Sequence, residues 1–167
     1  MFKTANRLAG LSVASALACG AATTANAQVL AHKDISLAMA TTMAMTAIET
    51  CKGQGYSVSV NVVGREGEVL IGLRNELAGP ATMENSMKKA YTARTFRIPS
   101  GKFAENVKGN PTAGALFLAN IVPAQGALPI TIGDDVIGSI GVSGAPGGDK
   151  DEACAKAGID KVADQLK

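Results

Sequence analysis

From Leu37 to Cys51, apolar and small residues recur in steps of three and four: Leu37, Ala40, Thr41, Ala44, Ala47, Ile48 and Cys51. That spacing predicts a helix with one narrow apolar face. Asp34 is placed to cap its start and Gly53 to stop it. Met39, Met43 and Met45 lie off the stripe, so either both sides of the helix are buried, the favoured reading, or the second side meets a subunit. The period then changes to two. Tyr56, Val58, Val60 and Val62 alternate with Ser57, Ser59 and Asn61, the signature of a half-buried strand. A turn at Gly64-Arg65-Glu66-Gly67 and a return from Glu68 to Arg74 complete a β-hairpin.

Pro80 and Thr82 open a second helical region, with Met83, Met87, Ala90 and Ala93 on one face and Glu84 and Lys88 at supportive spacing. Pro99-Ser100-Gly101 is expected to end it. The stretch from Lys102 to Gln125 reads as a short helical piece and a loop. Ile130 to Ile132, a turn at Gly133-Asp134-Asp135, and Val136 to Val142 predict a second hairpin. After the flexible corner Ser143-Gly144-Ala145-Pro146-Gly147-Gly148, Asp149 and Glu152 stand at capping-box spacing. They open a last helix with an apolar stripe of Ala155, Ile159, Val162 and Leu166. The order helix, hairpin, helix, hairpin, helix implies an α+β fold with antiparallel sheet.

The first residues change the picture of compartment. Lys3 and Arg7 precede a small-residue apolar run, and Ala25-Asn26-Ala27 satisfies the small-x-small rule of a signal peptidase site. Residues 1–27 therefore read as a cleavable signal peptide, and 28–167 as one domain beginning at Gln28. Cys19 as a lipidated residue would need a branched aliphatic three residues upstream, where Ala16 stands. No other stretch has the apolar length to span a bilayer. The expectation is a soluble periplasmic or secreted product. Cleavage removes two cations, so 16 basic residues become 14 against 14 acidic ones. A neutral domain without Trp lacks the basic patch and stacking aromatics of a nucleic-acid binder.

Composition also limits the chemistry. With one histidine, His32, the chain has no His cluster and no internal Ser-His-Asp arrangement away from its N-terminal flank. His32 reads either as a solvated terminal imidazole or as an axial ligand to a haem iron. Cys51 and Cys154 survive processing, and they either pair in an oxidising compartment or pack as separate thiols. Lys88-Lys89-Ala90-Tyr91-Thr92 places cations, a phenol and a hydroxyl on one helical stretch. With the Gly-rich corner at Gly144, Gly147 and Gly148, it predicts a pocket for a ligand bearing carboxylates and apolar bulk. The competing reading of that stretch is a solvated helix face.

Several motifs together are more specific. These are Tyr56-Ser57-Val58-Ser59-Val60, Lys89-Ala90-Tyr91-Thr92-Ala93, Gly126-Ala127-Leu128-Pro129-Ile130, and Val136-Ile137-Gly138-Ser139-Ile140-Gly141-Val142-Ser143-Gly144-Ala145-Pro146, followed by Asp151-Glu152-Ala153-Cys154-Ala155. In this order they resemble the GlcG/HbpS family of haem-binding or haem-degrading proteins, from about Asp34 to Val162. The resemblance implies a profilin-like or PAS-like antiparallel sheet flanked by N- and C-terminal helices, and a homo-oligomer from dimer to octamer. It also implies haem as cofactor or ligand and, in some members, slow oxidative haem degradation. The surface acidic iron-binding motif of the sensor-linked members has no counterpart at a matching position. Lys89, Tyr91, Thr92 and the Gly144 to Gly148 corner carry over as pocket candidates. The alternative is a small-molecule enzyme or accessory subunit acting on a hydroxy- or oxo-acid; another is an oligomeric structural protein without a ligand.

Overall fold

Two hairpins supply the sheet. Strands β1 (Ser59–Val63) and β2 (Val69–Arg74) form the first, and β3 (Ala127–Ile132) and β4 (Asp135–Ser143) the second. They join through β1 and β4 in the order β2-β1-β4-β3, antiparallel throughout. Helices α1 (Leu37–Gly53) and α4 (Gly148–Lys161) cover one face. Helix α2 (Thr82–Phe96) covers the other, with the short α3 (Ser100–Val107) beside it. This computed structural model describes residues 28–167, of which His32–Lys167 form the compact unit. Residues 1–27, read above as a signal peptide, lie outside the described residues.

The α1/α4 face is the apolar core. Val58, Val60, Val62, Ile140 and Val142 pack there against Ala40, Met43, Ala44, Ala47, Cys51, Cys154 and Ala155. The small residues set how closely α1 and α4 approach: a side-chain carbon at Gly158 would lie 2.5 Å from the Met43 carbonyl oxygen. Cys51 and Cys154 are joined by a disulfide between these helices, with Cα atoms 5.7 Å apart. Met43 is fully buried, Met39 is half-buried and Met45 is exposed. The Met-bearing side of α1 is thus buried only in part.

The other face explains a departure from the alternation rule. Ser59 and Asn61 were expected to face water, yet every residue of β1 is buried. Helix α2 lies over them and meets their polar atoms one by one. Ser59 Oγ shares a hydrogen bond of 2.7 Å with Thr82 Oγ1, and Asn61 Nδ2 donates to Ser86 Oγ at 2.8 Å and to the Met83 carbonyl at 3.0 Å. Ser139 donates to the Ala90 carbonyl, and Asn85 donates to Ser143 Oγ at 2.9 Å. Buried polar groups are tolerable when paired in this way. The inward face of α2 is accordingly Ser86, Lys89, Ala90, Thr92 and Ala93, while Met83 and Met87 are only half-buried.

Element ends differ from the sequence reading for local reasons. Ser36, not Asp34, caps α1, because its hydroxyl accepts from the Met39 amide at 3.2 Å. Helix α2 stops at Phe96, and Pro99 caps the start of α3 instead of ending α2. At α4 the N-cap is Gly147, with no side-chain capping bond. The anticipated box of Asp149 and Glu152 is absent because the helix starts before Asp149, and the next carboxylate, Asp151, accepts from the Ala145 amide of the corner.

Candidate functional site

The corner that sequence marked as a pocket is tied down from behind by a buried ion pair, Lys89 with Asp151. Gly144 holds a φ of 135° where a side-chain carbon would come within 2.5 Å of the Ser57 carbonyl oxygen, so glycine is required. Asp151, in the first turn of α4, accepts from the Ala145 amide at 3.0 Å and from Lys89 Nζ at 2.8 Å. Lys89 also donates to the Val142 carbonyl at 3.1 Å. Both side chains of this ion pair are only 4% exposed. Gly126 makes room for it: a side-chain carbon there would lie 2.7 Å from Lys89 Nζ. Burial pushes the Asp151 carboxyl up, opposed by the hydrogen bond and charge of Lys89.

Lys89 therefore does not stand at a pocket rim; its charge is answered inside the fold. Thr92 is similarly engaged, donating to the Lys88 carbonyl at 2.8 Å and accepting from the Val122 amide at 3.0 Å. Tyr91 points elsewhere. Its ring lies over Gly67 of the β1–β2 turn, where a side-chain carbon would be 2.7 Å away. His32 is half-exposed and 3.3 Å from an Asp34 oxygen. The neighbouring Lys33 carbonyl accepts from Arg65, which is paired with Asp135 at the start of β4. His32 and Tyr91 thus belong to the hairpin-turn end of the sheet, and Lys89 with Gly144, Gly147 and Gly148 to the corner end.

Beside the corner lies a cleft that the sequence reading passed over. Its volume is ≈ 680 Å³, within the range of small-molecule sites. Gln125 lines it and packs between two glycines: side-chain carbons at Gly101 and Gly148 would lie 2.8 and 2.7 Å from it. Val107, Leu116, Pro99 and Pro123 give apolar walls. Lys102 and Lys108 bring cations, the former 3.1 Å from a Glu105 oxygen. Glu152 lines the cleft too, and its Oε2 is buried without a hydrogen-bond partner. One signal was available in the sequence. The connection from Lys108 to Gly126 is long for a small domain, and long ordered connections are commonly functional.

Residues 35–160 match the family described as haem degrading protein HbpS-like. The chain belongs to the HbpS-like family. The crystal structure of HbpS has 34% sequence identity and a TM-score of 0.76, covering 80% of this chain and 93% of that one. The ORFY protein of Klebsiella pneumoniae has 25% identity and a TM-score of 0.75, covering 83% and 97%. A 15.0 kDa protein from the dhaT–dhaS intergenic region of Citrobacter freundii is 32% identical over 113 residues, 66% of this chain and 80% of its own length. The four-stranded antiparallel sheet with flanking helices is the HbpS-like fold.

A haem group makes three demands: an apolar slot, cations for two carboxylates, and an iron ligand. The cleft fits the first two through its proline, valine and leucine walls and its two lysines. It does not fit the third, because no imidazole, thiol, thioether or phenol lines it. Among the described residues there is also no group of three or more His, Cys, Asp and Glu side chains placed to hold a metal ion. No described helix is long and apolar enough to cross a membrane.

Proposed function

We propose that this HbpS-like protein is an exported, self-associating binding protein for haem or a similar carboxylated, largely apolar ligand. The observation that carries the reading is membership of a haem-degrading family over 35–160 together with an apolar cleft edged by Lys102 and Lys108. In this reading Gly148 shapes the cleft's edge through its contact with Gln125, and Gly144 and Gly147 form the turn behind it. Lys89 and Thr92 hold that edge rigid from behind instead of touching the ligand. His32 is the imidazole available to an iron, with Tyr91 as a weaker oxygen donor. Their position at the other end of β4 means that they serve a haem shared between copies, seated in the cleft of one and ligated by the next.

A Soret titration of the purified protein tests this. A saturable band is expected, shifted by His32→Ala and unchanged in position but weakened in affinity by Lys108→Ala. Absence of any saturable change in the wild-type protein removes haem as the ligand. A second reading then takes over, favoured by the partnerless Glu152 oxygen and the missing iron ligand in the cleft. It is a small hydroxy- or oxo-acid, its donor group meeting Glu152 and its carboxylate a lysine, with the protein acting as an enzyme or accessory subunit.

A further inference from the structure

The sheet ends in two edge strands, β2 and β3, and the chain closes off β3. Antiparallel strands turn alternate residues toward a given neighbour. The Gly126 carbonyl, just before β3, accepts from the Val142 amide of β4 at 2.9 Å, so Ala127 and Pro129 face away from β4. The Ala127 amide donates to Ser100 Oγ at 3.0 Å, and Pro129 has no N–H to offer. A proline and a covering group are common guards of a free edge.

Strand β2 carries no such guard. The Asn75 amide donates to the Val58 carbonyl at 3.0 Å, so Leu73 faces β1 and its neighbours Gly72 and Arg74 turn their N–H and C=O groups outward. Among the described residues neither amide donates to a turn or loop carbonyl, and Gly72 is exposed. From Val69 to Leu73 the strand reads Val-Leu-Ile-Gly-Leu, without proline or charge. Such a segment at an edge is a template for pairing with another chain. Apolar surface continues beside it: Val69 is exposed, as are Met45 on α1 and Leu77 in the connection after β2. Met45 and Ile48 share a depression of ≈ 230 Å³ with Leu73 and Arg74. Arg74 Nε donates to the Ala78 carbonyl at 3.0 Å, which folds that connection back onto the strand's end.

We propose, resting on the self-association put forward above, that β2 is a contact surface for a second copy of this chain. The two β2 strands pair antiparallel about a two-fold axis and join two four-stranded sheets into one. A second copy is the occupant that the strand itself specifies. Outward N–H and C=O groups of one edge complement the same groups of an identical edge, and a two-fold axis brings them together in a closed contact. The strand's end charges set its direction. Glu68 precedes β2 and Arg74 closes it, so antiparallel pairing brings unlike charges near each other at both ends, whereas parallel pairing sets like beside like. The same contact covers the exposed side chains of Val69, Met45 and Leu77.

Light scattering and residue-resolved hydrogen exchange by NMR, on the purified protein and on Val69→Lys with Met45→Lys, test the placement. Both sites are exposed, so the variant should keep the wild-type far-UV circular dichroism, and lysine is a natural guard of an edge strand. It should assemble about tenfold more weakly or worse. The Gly72 and Arg74 amides should exchange about tenfold or more slowly in the wild-type assembly than in the variant. Equal exchange of these amides in the two proteins, or a variant that assembles as tightly as the wild type, overturns the placement and leaves self-association to another surface. A wild-type protein that stays monomeric at micromolar concentration overturns self-association itself, and the β2 contact with it.

Discussion

Replacing Lys89 with Met should expose how much the corner depends on one ion pair. The lysine stem has a close apolar counterpart in methionine, so packing is largely kept and the ammonium is lost. Asp151 would then be a buried carboxylate with one remaining donor, the Ala145 amide. Breaking a buried pair by removing one partner costs about 3–5 kcal/mol. For a domain of this size that corresponds to a fall in Tm of roughly 10 °C. The pH dependence fixes the cause. Burial already raises the Asp151 carboxyl above its ordinary value of 3.8, so its contribution to stability is fully present below that value. The contribution is lost as pH rises through the raised folded value. Without Lys89 the folded value rises further, so the variant's deficit relative to wild type should be small around pH 4 and full at neutral pH. Urea unfolding of both proteins at the two pH values measures it. Replacing both partners, Lys89→Met with Asp151→Leu, should recover much of the loss. A deficit under about 1 kcal/mol, or one that does not change with pH, would refute the reasoning.

Four other outcomes can be checked. The Cys51–Cys154 bond closes a loop with a sequence separation of 103, so reducing it should cost about 4–5 kcal/mol on the chain-entropy account. Thiol titration of denatured, unreduced protein lacking the signal segment should find no free thiol, and two would contradict the bond. Gly141→Ala should destabilise by about 1–3 kcal/mol in thermal or urea unfolding, because the added carbon lies 2.7 Å from the Ala90 backbone nitrogen; a neutral result would mean that α2 can shift off the sheet. Finally, mass spectrometry of protein exported by its native host should find an N-terminus at Gln28. Light scattering should find at least a dimer, since Leu77, Phe117 and Leu118 are exposed apolar groups that association can cover; a clean monomer at micromolar concentration removes the assembly claim.

The elements and their order were legible in the sequence because each rests on a local rule. Val58, Val60 and Val62 alternate wherever they end up, and Gly133 and the Gly64–Gly67 stretch turn the chain through their own backbone freedom. The motif series from Tyr56 to Ala155 likewise carries the family, since a family likeness is a property of residues in order. What those rules omit is the partner across the fold. Ser59 and Asn61 read as solvent-facing until α2 covers them and supplies Thr82 and Ser86. Lys89 reads as a free cation until the fold brings Asp151, 62 positions away, to its ammonium. Whether Cys51 meets Cys154 depends on how closely two helices pack, and Gly158 sets that distance from elsewhere in the chain. The cleft beneath the Lys108–Gly126 connection and the separation of His32 from the corner are of the same kind. A hydrophobic period or a turn residue acts over a few bonds and survives in one dimension. Ion pairing, disulfide reach and cavity shape depend on distances between remote segments, and only the packed chain determines those distances.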